Sequence, residues 1–455
     1  MEANFQQAVK KLVNDFEYPT ESLREAVKEF DELRQKGLQK NGEVLAMAPA
    51  FISTLPTGAE TGDFLALDFG GTNLRVCWIQ LLGDGKYEMK HSKSVLPREC
   101  VRNESVKPII DFMSDHVELF IKEHFPSKFG CPEEEYLPMG FTFSYPANQV
   151  SITESYLLRW TKGLNIPEAI NKDFAQFLTE GFKARNLPIR IEAVINDTVG
   201  TLVTRAYTSK ESDTFMGIIF GTGTNGAYVE QMNQIPKLAG KCTGDHMLIN
   251  MEWGATDFSC LHSTRYDLLL DHDTPNAGRQ IFEKRVGGMY LGELFRRALF
   301  HLIKVYNFNE GIFPPSITDA WSLETSVLSR MMVERSAENV RNVLSTFKFR
   351  FRSDEEALYL WDAAHAIGRR AARMSAVPIA SLYLSTGRAG KKSDVGVDGS
   401  LVEHYPHFVD MLREALRELI GDNEKLISIG IAKDGSGIGA ALCALQAVKE
   451  KKGLA

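Results

Sequence analysis

The segment FLALDFGGTNLRVCWIQL, Phe64 to Leu81, decides how this chain is read. An apolar run breaks at Gly70-Gly71 and resumes as a second apolar run. That pattern predicts two strands returning antiparallel through a tight turn. The turn, Asp68-Phe69-Gly70-Gly71-Thr72-Asn73, also suits an anion. Glycines let the backbone approach closely, and successive N–H groups form a concave nest for phosphate oxygens. Thr72 and Asn73 add side-chain donors, and Arg75 stands where it could face the same anion. Asp68 ends an apolar strand, a costly place for a charge without a partner. Hydrated Mg2+ is an obvious partner, because that ion keeps its waters and binds through few carboxylates. A plain hairpin turn is the alternative reading of the same residues.

The pattern returns in the second half. FMGIIFGTGTNGAYVE, Phe215 to Glu230, again reads strand, turn, strand, with Gly221-Thr222 in the turn. A polyphosphate gripped between two lobes needs a cradle from each, so two such units suggest two lobes on one plan. Neither turn is a GxxxxGK[ST] loop, and no GxGxxG follows the first strand. A third turn, Asp434-Gly435-Ser436-Gly437, opens the last helix. A helix N-terminus there could hold a ribose or phosphate, or simply join strand to helix.

Length agrees with two lobes: 455 residues exceed the roughly 250–300 at which one core stops growing. The charges, 52 Lys+Arg against 59 Asp+Glu, argue against general nucleic-acid binding, which favours a basic surface. Six cysteines without a CxxC pair read as reduced thiols of a cytoplasmic protein. No HExxH, no apolar run of about 20 residues and no signal-peptide core is visible, so neither a zinc site nor a membrane partner is expected.

Helical spacing marks Phe5 to Phe16, then a second helix after Pro19 with Ser22 and Glu25 at capping-box spacing and Gly37 as its stop. Gly287 to Tyr306 is strongly amphipathic, and further helices are expected near 355–375 and 405–420. Between the two glycine turns, Asp197 follows the apolar run Ala193 to Ile195, beside Asn196. It reads either as a helix N-cap or as a general base toward a hydroxyl. Lys162, in RWTKG, sits in an unusually apolar setting. Glu252 and Glu283 are carboxylates in partly apolar contexts, the kind that grip a polyol by accepting two hydroxyls each.

Together, LPTGAETGDFLALDFGGTNLRV, FTFSYPANQ, RWTKGLNIP, INDTVGTL, IIFGTGTNGAYVE, INMEWGA, FEKRVGGMYLGEL, VGVDGS and IAKDGSGIGAAL resemble the hexokinase family, over nearly the whole chain. FEKRVGG and IAKDGSGIGAALCAL are most similar to its fungal glucokinase branch. The resemblance implies an α/β, actin-like ATPase or sugar-kinase (ribonuclease H-like) fold, with two lobes around a deep cleft. Residues 64–195 plus 437–455 would form the small lobe, and 1–63 plus 196–436 the large one. The implied activity is ATP-dependent phosphorylation of glucose at its 6-hydroxyl, the first step of glycolysis, with Mg2+. Ser144, Thr161 and Lys162 would meet the sugar from the small lobe, Asn196 and Asp197 at the hinge, and Asn225, Glu252 and Glu283 from the large lobe. Asp197 would be the catalytic base, assisted by Lys162. Gly70, Gly71, Thr72, Asn73, Gly221 and Thr222 would hold phosphates, Gly435 and Ser436 would lie near the nucleoside, and Mg2+ would sit near Asp68.

Three alternatives stay open: a broad hexokinase acting also on fructose and mannose, a catalytically weak sugar sensor, and an actin-like ATPase. The last would not need the TKG, INMEWG and FEKRVGG segments. A monomer or homodimer is expected. The departures from the family pattern are Phe69, where leucine or isoleucine is usual, and Ala147-Asn148, which could retune the sugar pocket.

Overall fold

A computed structural model describes the chain apart from residues 1, 72, 210–212, 241, 243, 454 and 455. After two N-terminal helices, β1 (Ala48–Pro49) lays down the edge of a sheet completed later. The chain then builds a separate sheet from β2 (Thr61–Phe69), β3 (Asn73–Gly83) and β4 (Lys86–Val95). These form an antiparallel meander in which Asp68 stands opposite Arg75. β5 (Leu137–Phe143) then joins parallel to β2. A short hairpin of β6 (Ala147–Gln149) and β7 (Ser155–Leu157) follows, and β8 (Ile189–Ile195) pairs parallel with β5. The strand order is β4-β3-β2-β5-β8.

The second sheet repeats the plan. β9 (Thr214–Phe220), β10 (Thr224–Gln231) and β11 (His246–Asn250) form the meander. β12 (Ser393–Asp398) and β13 (Ile427–Ile431) add in parallel, in the order β11-β10-β9-β12-β13. Both glycine turns of the sequence therefore join the first two strands of equivalent meanders.

Parallel strands are buried on both faces and need helices to cover them. The helix Asp197–Thr208 leaves β8 of the first sheet and packs on β9 of the second. The helix Gly435–Lys451 leaves β13 of the second sheet and packs on β5 and β8 of the first. The two helices therefore exchange sheets, and they cross with backbones in contact. A Cβ added at Gly439 would lie 2.3 Å from the Gly200 Cα. Arg205 pins the first helix to β12 through paired bonds of 2.8 and 2.7 Å to the buried Asp394. Small side chains of both helices (Val199, Ala440, Ala441, Ala444) share one apolar cluster with Ala66, Ala193, Ala227 and Leu248 of the two sheets.

Three expectations change. Gly37 does not stop its helix, which runs over Thr20–Gln39. It is there because a Cβ would meet the Leu45 carbonyl oxygen at 2.1 Å. Pro19, not a capping side chain, precedes that helix. The helix expected near 355–375 extends over Asp354–Ser385 with Pro378 inside it. Its second half is buried almost all round, which erases the one-sided periodicity that marks a helix from sequence. Among the described residues no helix is long and apolar enough to cross a membrane.

The Gly200–Gly439 crossing makes a stability prediction. Gly439→Ala should destabilise the fold by about 2 kcal/mol or more, because backbone rather than a flexible side chain must move. Urea unfolding measures this, and an unchanged midpoint would show that the helices tolerate separation.

Candidate active site

The parallel strands of both sheets point their C-terminal ends at one region, the usual place for ligands in open α/β sheets. β8 ends at Asn196 and Asp197. Asn196 takes the N-cap: its Oδ1 accepts from the Thr198 N–H at 2.9 Å and from the Thr198 hydroxyl at 2.6 Å. Asp197, in the next position, is thereby released from capping. It is half-buried. Burial raises its carboxyl above the ordinary range, Lys162 lowers it, and Asp68 adds to the rise. The Ser144 hydroxyl, just past β5, faces this carboxylate and helps lower it. It lies outside standard hydrogen-bond geometry, so its buried Oγ has no partner in the protein. An orphaned buried hydroxyl beside a carboxylate is a place for a ligand oxygen.

Lys162 stands at the tip of a turn in left-handed backbone, φ 56°. Trp160 anchors that turn, with its indole N–H donating to the Ile166 carbonyl at 2.8 Å and its ring 5.0 Å from Tyr145. The Thr161 carbonyl closes it, accepting from the Leu164 N–H at 3.2 Å. Lys162 Nζ donates to the carbonyls of Gly70 (2.6 Å) and Ser144 (3.0 Å), tying it to the first glycine turn.

From the second sheet come Asn225 on β10 and Asn250 at the end of β11. Asn225 Nδ2 donates to Asn250 Oδ1 (2.8 Å) and Glu252 Oε1 (3.4 Å), and Asn250 Nδ2 donates to the same Glu252 oxygen (2.8 Å). Glu252 is held at φ 57°. Glu283 Oε2 accepts from the Thr224 N–H at 3.1 Å and packs on Gly223, where a Cβ would come within 2.3 Å of it. Both carboxyls are raised by burial. Asp197 adds to the rise at Glu252, and Glu252 adds to it at Glu283. Lys162 lowers all three. One lysine thus offsets the burial of three neighbouring carboxylates.

On the other side of Asp197 lie the glycine turns. Tyr145 OH donates to the Gly71 carbonyl at 3.0 Å. Thr72 lies outside the described residues, and Asn73 opens β3 with an exposed side chain. In the second turn Gly221 N–H donates to Gly223 O (3.0 Å). The helix Gly288–Tyr306 docks on it, with Gly288 N–H on Gly221 O (2.8 Å) and Met289 N–H on Thr222 O (3.0 Å). Arg75 does not point freely at either turn. It binds Asp434 (2.6 Å), Ser436 (2.9 Å) and Asp68 (3.4 Å). Asp68 Oδ2 also accepts from the Ser436 hydroxyl at 2.7 Å, and its Oδ1 lies toward Gly70. Among the described residues no group of three or more His, Cys, Asp or Glu could hold a metal. A single carboxylate beside a phosphate nest nevertheless fits Mg2+, which binds through few carboxylates, water and phosphate.

The sequence reading missed Asn250, whose only signal was its place two residues before Glu252. It also assigned no role to Asp398, although VGVDGS was noted. Asp398 ends β12, and Gly399 lies against Gly221. Its Oδ1 accepts from the Gly399 N–H at 2.7 Å. Burial, with added repulsion from Glu403, Asp197 and Asp434, pushes its carboxyl up to about 6. A separate cavity of about 670 Å³ near Arg34, Ser53 and Arg388 shares none of these residues.

Comparison with known proteins gives consistent likenesses. Two family models, both described as hexokinase, match residues 8–207 and 215–446. The chain is 41% identical to the glucokinase of Aspergillus niger, over 97% of each chain. It is 37% identical to glucokinase-1 of Saccharomyces cerevisiae, again over 97% of each. Among solved structures, the hexokinase from Schistosoma mansoni complexed with glucose superposes with a TM-score of 0.87 at 28% identity, covering 98% of this chain and 100% of that one.

Asp398 supplies the test of this electrostatic picture. A carboxyl raised in the folded state costs stability as pH climbs from the unfolded value toward the folded one. Asp398→Asn keeps the acceptor oxygen but not the charge. It should be more stable than the parent protein at pH 7.5, with the gain shrinking below pH about 6 and vanishing near pH about 4. Urea midpoints across pH measure this. A constant difference at every pH would mean that Asp398 is not strained by its charge.

Proposed function

The chain belongs to the hexokinase family, an ATP-dependent hexose phosphotransferase of the first step of glycolysis, and we propose that it prefers glucose and uses Asp197 as the base on the 6-hydroxyl. The observation that carries this reading is the release of Asp197 from capping. Its neighbour Asn196 satisfies the helix, so the carboxylate is left facing Ser144 and Lys162.

Sugar hydroxyls replace missing partners. Ser144 has a buried oxygen to give, and Thr161 stands in the same turn as Lys162. Asn225, Glu252 and Glu283 accept or donate from the second sheet, with Asn250 holding Glu252 in place. A hydroxyl donated to Glu252 or Glu283 stabilises its charge against the burial that raises its carboxyl. A missing hydroxyl leaves one buried group unpaired, at about 1–3 kcal/mol.

Phosphoryl transfer has a loose transition state, so the protein's task is to position and neutralise. Gly70, Gly71, Thr72 and Asn73 from one meander and Gly221-Thr222 from the other cradle the phosphates of ATP. Gly435-Ser436 meet the nucleoside. Asp68 would hold Mg2+, which supplies charge neutralisation at the phosphates when bound. Asp197 orients the 6-hydroxyl and takes its proton as the bond to phosphorus forms. Its burial-raised carboxyl makes it a better proton acceptor than an exposed aspartate. Lys162 steadies the charge of Asp197 and of the transferred group.

Water would be an equally good nucleophile and is far more abundant. The lobes, residues 64–195 plus 437–455 against 1–63 plus 196–436, therefore close only when sugar pairs the polar groups of both.

Asp197→Ala should bind glucose within a few-fold of normal while turnover falls by at least about 10²-fold. Tryptophan fluorescence reads the first quantity and a coupled assay the second. Near-normal turnover would remove Asp197 from the mechanism. A preference for fructose over glucose in the same assay would overturn the proposed sugar.

A further inference from the structure

Tyr145 lies just beyond the end of β5, and its side chain is buried. Its hydroxyl donates to the Gly71 carbonyl at 3.0 Å. Its ring is 5.2 Å from that of Phe69, the residue before Gly70, and 5.0 Å from that of Trp160. Lys162 Nζ lies over the same ring, 5.4 Å from its centre. One side chain therefore touches both the first glycine turn and the turn that carries Lys162. The chemistry derived so far uses Ser144 and Lys162 but gives this tyrosine no part.

Two glycines in a row leave the peptides of a turn free to rotate, because neither residue carries a Cβ. Packing does not restrain the second one: a Cβ at Gly71 would meet nothing within 4 Å. A peptide is planar and trans, so its C=O and N–H lie on opposite edges. Turned one way it offers an anion a donor, and turned the other way it offers a carbonyl oxygen that repels the anion. Two hydrogen bonds set the direction here. Lys162 Nζ holds the Gly70 carbonyl at 2.6 Å. The Gly71 N–H, on the far edge of that peptide, has no partner among the described residues. The Tyr145 hydroxyl holds the next carbonyl, that of Gly71. Both oxygens are thus turned onto groups of the protein.

We infer that Tyr145 is a positioning residue for the nucleotide: its hydroxyl pins the Gly71 carbonyl inward, so that the first glycine turn presents donors and not acceptors to phosphate. The inference rests on the reading that Gly70 to Asn73 hold the phosphates. Without the hydroxyl, the Gly71 carbonyl is free to rotate, and its oxygen then opposes the negative charge that the turn receives. Tyr145 acts through the backbone of Gly71, not as a ligand of the phosphate.

Tyr145→Phe removes the hydroxyl and keeps the ring, and with it the contacts to Phe69, Trp160 and Lys162. Steady-state kinetics with each substrate varied at saturating levels of the other read the effect. KM for ATP should rise about fivefold, the size of one lost hydrogen bond, while KM for glucose stays within about twofold. A purely structural role lowers the urea midpoint without moving KM for ATP, or raises both KM values together, and either result overturns the inference. Gly71→Ala separates that failure from failure of the phosphate reading. Its methyl meets no protein atom, so a rise in KM for ATP reports a ligand against the turn. If Gly71→Ala raises KM for ATP and Tyr145→Phe does not, the inference falls and the phosphate placement stands. If neither variant moves it, both fall.

Discussion

Two helices cross where neither carries a side chain, at Gly200 and Gly439, and the candidate active site inherits its geometry from that contact. Each helix begins at a strand end of one sheet and lies against the other sheet. The first turn of one holds Asp197, and the first turn of the other holds Gly435-Ser436. Thr204 of the first helix donates its hydroxyl to the Gly435 carbonyl at 3.2 Å, and Thr142 of β5 donates to the Ser436 carbonyl at 2.7 Å. The proposed base and nucleotide turn are therefore registered by packed backbone, which has few ways to relax.

The duplicated sheet plan explains why the residues of the candidate site converge there. Two meanders present equivalent glycine turns, and six parallel strand ends supply Asp68, Ser144, Asp197, Gly221, Asp398 and the Asp434 turn. None of these residues is close in sequence to most of the others. Their common feature is position on the sheet, at the end where a strand stops and its backbone polar groups are free for a ligand.

The charges follow a single logic. Asp197, Glu252 and Glu283 lie near one another with burial raising each, and Lys162 is the cation common to all three. Amide donors from Asn225 and Asn250 reach Glu252, and the Thr224 N–H reaches Glu283, so the charges are held in place by the second sheet. Arg75 and Asp434 form a second ion pair across the two sheets, at 2.6 Å.

Much of this was legible in the chain. The strand–turn–strand units at Phe64–Leu81 and Phe215–Glu230 were readable because alternation and paired glycines are local properties. Membership in the family was readable because its motifs run in order along nearly the whole length. Asp197 could be nominated but not separated from a helix cap, since both roles ask for an aspartate at a strand-to-helix junction. The structure separates them by giving the cap to Asn196. Gly37 read as a stop because sequence cannot show the Leu45 carbonyl that excludes a side chain there. Asn250 and Asp398 passed unassigned because their partners, Glu252 with Asn225 and the Gly221 turn, depend on strand pairing. The sequence by itself determined the two-lobe α/β plan, the glycine turns and the chemical inventory, all of which are set by neighbours in the chain. The tertiary structure alone decided which carboxylates share Lys162, which aspartate caps, and that Arg75 faces Asp434, because those outcomes depend on side chains brought together from distant strands.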